Sequence, residues 1–158
     1  MRILVLGGDG YLGWPTALHL SDGGHHVAVA DSFVRRQYDH ELGVWSLVPI
    51  EPLHLRTRAW QEVSGRSISA FVGDLNEAEF TYRIVREFRP DTIVHFAEQR
   101  SAPYSEIDRK HAVYTQVNNV VGTLNLLYAI AEINRNIHLV KLGTMGEYGT
   151  PDIDIEEG

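Results

Sequence analysis

The chain has 158 residues, 44% hydrophobic and 22% charged, which is enough sequence for one globular domain with a real core. A formal net charge of −7 speaks against a nucleic-acid surface, and the absence of cysteine excludes disulfides, thiol catalysis and Cys-ligated metals. No apolar run reaches membrane-spanning length, and an apolar strand starts at residue 2, so neither a targeting segment nor a membrane contact is expected.

Met1–Gly7 reads as a short apolar strand. Gly7-Gly8-Asp9-Gly10-Tyr11-Leu12-Gly13 follows at once, then a helical run over Trp14–Asp22 and a second strand, His26–Ala30, that ends in Asp31. Strand, glycine turn, helix, strand and acid, with the acid 18 residues after Gly13, is the order of a dinucleotide-binding βαβ unit. Gly7 permits the tight turn, Gly10 lets backbone approach a pyrophosphate, and Gly13 lets the helix lie against the strand. The helix N-terminus offers free N–H groups to phosphates. Asp31 can accept hydrogen bonds from an adenosine ribose and would repel a 2′-phosphate, which favours NAD over NADP. Arg35 and Arg36 pull the other way, because arginines there can hold a 2′-phosphate; they can equally be solvated, and Arg35 could stack on adenine.

Residues 33–67 break the rhythm and read as an insertion over the adenosine end, with a helix near 53–63. A third strand is expected at Ile68–Val72, before Gly73-Asp74, then a helix from Glu77 to Phe88 stopped by Pro90. Thr92–Phe96 reads as the fourth strand. A long helical region is expected from Ser105 to Asn134, broken near Lys110, and a fifth strand at His138–Leu142. The alternation predicts an α/β fold: a Rossmann-like, doubly wound parallel sheet of about five strands in the order 3-2-1-4-5. Ligands in such sheets bind past the carboxyl ends of the strands, where the motifs at Gly7, Asp31, Asp74, Ala97 and Thr144 all fall. The eight histidines show no metal-ligand spacing, and His95 is expected to end its strand as a satisfied polar residue.

Three later motifs make the family specific. His95-Phe96-Ala97, Asn119-Val120-Val121-Gly122-Thr123 and Gly143-Thr144-Met145-Gly146-Glu147-Tyr148-Gly149 resemble the extended short-chain dehydrogenase/reductases, which include nucleotide-sugar epimerases and dehydratases. That group usually has a hydroxyl residue where Gly143 stands and Val where Glu147 stands. These departures, with Gln99-Arg100-Ser101-Ala102-Pro103-Tyr104-Ser105, resemble the branch that forms UDP-sulfoquinovose. The resemblance implies an NAD-dependent enzyme that converts UDP-glucose and sulfite to a UDP-sugar sulfonate through a 4-keto-5,6-ene. A UDP-glucose 4-epimerase or NDP-sugar 4,6-dehydratase, and a non-catalytic NAD-binding scaffold, stand as the alternatives.

The resemblance also distributes roles. Asp31, Ser32, Arg35, Asp74 and Leu75 would meet adenine and its ribose, while Tyr11 and Leu12 would present amides to the pyrophosphate. Ala97 would pack near the nicotinamide-side ribose, with Asn118 or Asn119 beside it; one of these asparagines is expected only to tie helix to loop. Thr144 would hydrogen-bond the sugar C4 oxygen and otherwise caps a turn. Glu147 would help remove water at C5–C6 and otherwise is solvated. Arg100, where an epimerase-like enzyme often has lysine, suits an anion. The family's Tyr-x-x-x-Lys pair is missing: the residues four before Lys110 and Lys141 are Glu106 and Ile137. Residues 1–158 are therefore expected to be the N-terminal part of an NAD-binding domain, inactive alone, without the final strands and the sugar-nucleotide domain. The intact protein is expected to be a homodimer paired through the second apolar face of the 105–134 region. A cytoplasmic location, or the plastid stroma for a mature plant protein, completes the expectation.

Overall fold

A computed structural model of the chain describes residues 1–144, 149 and 152–154. Five parallel strands form one sheet: β1 (Arg2–Leu6), β2 (His26–Asp31), β3 (Ile68–Val72), β4 (Thr92–His95) and β5 (His138–Lys141), in the order β3-β2-β1-β4-β5. β1 is central and apolar on both faces, as a strand covered on both sides must be. Its alternation sorts the core. Leu4 and Leu6 join Ala28, Ala30 and Ile93 against Phe80, Ile84, Val85, Phe88, Leu126 and Ala129. Ile3 and Val5 join Val27, Val29 and Ile68 against Ala17 and Leu53, with Trp14 and Trp60 at the margin.

The helices are α1 (Gly13–Asp22), α2 (Val34–Glu41), α3 (Leu53–Ser64), α4 (Ala78–Phe88), α5 (Ala102–Ser105), α6 (Arg109–Gln116) and α7 (Gly122–Ile133), with a π-helical turn at Val117–Val121 joining the last two. Two of these differ from the sequence reading. α2 was not expected, and the 105–134 region, which begins where the short α5 ends, is two helices joined by a π turn rather than one helix with a single break. Asp108 makes the break by capping α6, its Oδ1 accepting the His111 amide at 2.9 Å.

α2 follows β2, whereas α5 and α6 follow β4, and β1 lies between those strands. Tyr38 of α2 meets Tyr104 with ring centroids 4.3 Å apart and Tyr114 at 5.5 Å. The insertion therefore arches over the carboxyl end of β1, where the sheet order reverses. No helix among the described residues is long and apolar enough to cross a membrane.

Candidate functional site: the carboxyl ends of the strands

The glycine loop is built by close approach. Gly7 has φ +81°, and a Cβ there would stand 2.9 Å from the Ala97 nitrogen; one on Gly13 would stand 2.0 Å from the Gly7 carbonyl oxygen. Both positions therefore exclude any side chain. Gly10 differs: a Cβ would meet only the Gly7 oxygen, at 3.2 Å. The fold demands glycine there less than at Gly7 and Gly13, while a pyrophosphate lying on the loop would demand it. Tyr11 and Leu12 are exposed, and their amides precede the first hydrogen bond of α1, from Trp14 N to Gly10 O. The arrangement fits a dinucleotide phosphate.

Asp31 anchors this loop as well as ending β2. Its carboxylate accepts the Asp9 amide at 2.9 Å and the Phe33 amide at 2.8 Å. Burial lifts its proton affinity above that of an ordinary aspartate, and the two amides oppose the rise. Arg36 is not a free surface charge: it grips Asp9 through Nε at 2.8 Å and Nη2 at 3.0 Å. Arg56 of α3 pairs with the same carboxylate. The sequence reading missed Asp9 and Arg56; the visible signal was an acid inside the glycine loop with unassigned arginines downstream. Arg35 is exposed, and Ser32 is half-buried at the end of β2.

Asp74 makes a turn, its Oδ1 accepting the Asn76 amide at 2.9 Å. The Leu75 side chain belongs to the core, and its carbonyl accepts Thr81 Oγ1 and Asn125 Nδ2. Any adenine contact from Leu75 is thus left to its backbone amide. Ala97 is half-buried beside Gly7 and donates its amide to His95 Nδ1 at 3.1 Å. His95 is only 1% exposed, and its Nε2 is buried without a partner, so it is less completely satisfied than the sequence suggested. Burial lowers its pKa to about 4, which keeps the ring neutral.

Asn119 takes the tying role expected of one asparagine. Its side chain binds both backbone groups of Gln99 and accepts Asn118 Nδ2 at 2.9 Å. Asn118 in turn accepts the Tyr114 hydroxyl at 3.1 Å. The Gln99 side chain, 7% exposed, reaches Ser101 and Thr115. Both asparagines lie in the π turn, Val117–Val121. Arg100 is exposed, as is Thr144 just past β5; Glu147 lies outside the described residues.

Above these groups, Glu41 of α2 accepts the Tyr104 hydroxyl at 3.1 Å and stands 3.2 Å from His111 Nε2, whose Nδ1 is 2.7 Å from Asp108. The hydrogen bond to Asp108 comes first among the influences that raise the His111 pKa. Burial, then Glu41, pushes Tyr104 up to about 12, so it remains a donor.

A glycine loop, an acid-terminated second strand and converging polar groups at a β1/β4 switch point define a dinucleotide-binding α/β domain. Residues 4–157 match the family described as GDP-mannose 4,6 dehydratase, and the chain belongs to it, within the extended short-chain dehydrogenase/reductases. It is 59% identical to the chloroplastic UDP-sulfoquinovose synthase of Spinacia oleracea over 157 residues, covering 99% of this chain and 33% of that protein. It is 50% identical to UDP-sulfoquinovose synthase of Sulfolobus acidocaldarius, covering 99% of this chain and 40% of that protein. Among solved structures, the UDP-glucose 4-epimerase of Thermus thermophilus in complex with NAD is 32% identical, with a TM-score of 0.57 over 82% of this chain and 33% of that one. The chain thus spans between a third and two-fifths of the length of these curated relatives.

Proposed function

We propose that this chain is the NAD-holding part of an enzyme that converts UDP-glucose and sulfite to UDP-sulfoquinovose. The observation that carries the reading is its identity of 59% and 50%, over nearly its whole length, to two UDP-sulfoquinovose synthases. The glycine loop supports NAD as cofactor, since its open side is at Gly10 and its carboxylate is Asp31. The related Thermus epimerase, crystallised with NAD, supports it as well.

In this reading the Tyr11 and Leu12 amides hold the pyrophosphate at the α1 N-terminus. Asp31 and Ser32 receive the adenosine ribose, and Arg35, Asp74 and the Leu75 backbone border the adenine. Ala97 and Asn118 flank the nicotinamide end, while Asn119 fixes the Gln99 backbone beneath them. NAD held by these residues would supply reversible hydride transfer at sugar C4. The Thr144 hydroxyl donates to the C4 oxygen, opposing the charge that develops there. Glu147 helps remove water across C5–C6, taking the C5 proton and passing it to the departing C6 hydroxyl, and Arg100 offers its fork to the anionic group at C6. A second copy of the protein covers the outer face of α6, the π turn and α7, where Val113, Val117, Val120, Leu124 and Leu127 are exposed. A cytoplasmic or plastid location fits these substrates, and the spinach relative is chloroplastic.

The test is product analysis with the intact protein that carries this chain. UDP-glucose with sulfite should give a UDP-sugar sulfonate; UDP-galactose or a 4-keto-6-deoxy sugar would replace this reading with an epimerase or a dehydratase.

A further inference from the structure

Two guanidiniums sit where a 2′-phosphate would be welcome. Arg36 is five residues beyond Asp31 at the end of β2, and Arg56 reaches the same place from α3. Both end on Asp9. The Asp9 amide is 2.9 Å from the Asp31 carboxylate, so the arginines lie within one residue's reach of the group that faces the ribose. Asp9 is well placed to hold them. Its side chain is 9% exposed, against 15% for Arg56 and 38% for Arg36. Arg36 engages it through two nitrogens and adds bonds to the Ile50 and Glu51 carbonyls at 3.1 Å. Arg56 lies over the Trp14 ring at 4.7 Å. Here two carboxylates balance two guanidiniums.

We propose that Asp9 is a specificity-determining residue, which sets the preference for NAD by withholding Arg36 and Arg56 from a ribose 2′-phosphate. The inference rests on the NAD reading above. Without the Asp9 charge, Asp31 would face two arginines and the site would carry net positive charge. A dianionic phosphate would then be attracted rather than repelled. Asp31 alone does not secure discrimination with two such cations beside it; the acid in the glycine loop completes it.

The test is calorimetric binding of NAD and of NADP to the intact protein and its variants. Wild type should prefer NAD. Asp9→Asn keeps the size and a polar tip, and should cut the NAD:NADP preference by about tenfold or more, mostly through tighter NADP. Asp9→Glu should retain the preference. Asp9→Asn combined with Arg36→Ala and Arg56→Ala should lose the NADP gain. A merely structural Asp9 would weaken both dinucleotides alike and leave the ratio unchanged, which overturns the proposal alone. So does a triple variant that binds NADP as well as Asp9→Asn does. A wild type that takes up neither dinucleotide, or prefers NADP, removes the cofactor reading and this proposal with it.

Discussion

Asn119 holds both backbone groups of Gln99: its Oδ1 accepts the amide at 2.9 Å and its Nδ2 donates to the carbonyl at 2.8 Å. One side chain thus replaces the two partners that a neighbouring strand would supply. It fixes the loop after β4 to the π turn, at the edge of the crevice where the sheet order reverses.

Asn119→Ala leaves a donor and an acceptor of Gln99 unpaired and should cost about 2 kcal/mol of stability. Asn119→Asp keeps an acceptor for the Gln99 amide but sets a second oxygen against the Gln99 carbonyl, so it too should fall below wild type. Urea melts of the three proteins check the order. Equal midpoints for all three would mean that water replaces the clamp at no cost.

Gly13→Ala forces a Cβ to 2.0 Å from the Gly7 carbonyl oxygen, a contact with backbone at the turn itself. We expect a loss of about 3 kcal/mol, with weaker dinucleotide binding. Gly10→Ala meets one oxygen at 3.2 Å and should lower the melting temperature much less than Gly13→Ala while reducing NAD affinity. Thermal melts with and without NAD separate the two; equal thermal losses would contradict the distinction drawn between these glycines.

Much of this could be read from the chain beforehand. β1, β2 and β3 are continuous apolar runs bounded by turns, and their pairing order follows from right-handed crossovers. The glycine loop and Asp31 announced themselves by spacing. α2 did not, because Val34–Glu41 has no buried residue and no polar N-cap; Tyr38 and Glu41 hold it through side chains more than sixty residues away. The π turn was equally hidden, since one residue too many in a helix leaves no mark on composition. The Asp9–Arg36–Arg56 cluster depends on where the insertion folds back, which spacing alone does not tell.

His95 should make the fold acid-sensitive. Its pKa is about 4 in the folded chain against 6.5 for an ordinary histidine, so the unfolded state takes up the proton first as pH falls. Its part in stability is complete above about 6.5, is lost progressively down to about 4, and is of order 3 kcal/mol. His95→Asn keeps an acceptor for the Ala97 amide but does not titrate. Denaturant melts from pH 7.5 to 4.5 should show a shallower decline for the variant; parallel curves would mean that His95 charges freely in the fold.

The Glu41–His111–Asp108 clasp has the opposite sign. The His111 pKa is raised above 6.5, so the protonated ring stabilises the fold below that value, and the contribution is lost as pH rises through the folded pKa. Amides of α2 should exchange more slowly under mildly acidic than under alkaline conditions, after correction for intrinsic rates. Glu41→Gln should lower the His111 pKa, read from its ring proton by NMR. An unchanged titration in that variant would show that Glu41 does not act on the ring.

We propose that a dinucleotide lies across the carboxyl ends of β1, β2 and β4, with its phosphates on the glycine loop. The most direct test is a crystal structure of the intact protein grown with NAD. The pyrophosphate should lie against the Tyr11 and Leu12 amides over Gly10, with the adenosine ribose hydroxyls on Asp31 and the nicotinamide end beside Ala97. NAD bound elsewhere, or a pyrophosphate away from the α1 N-terminus, would contradict the account.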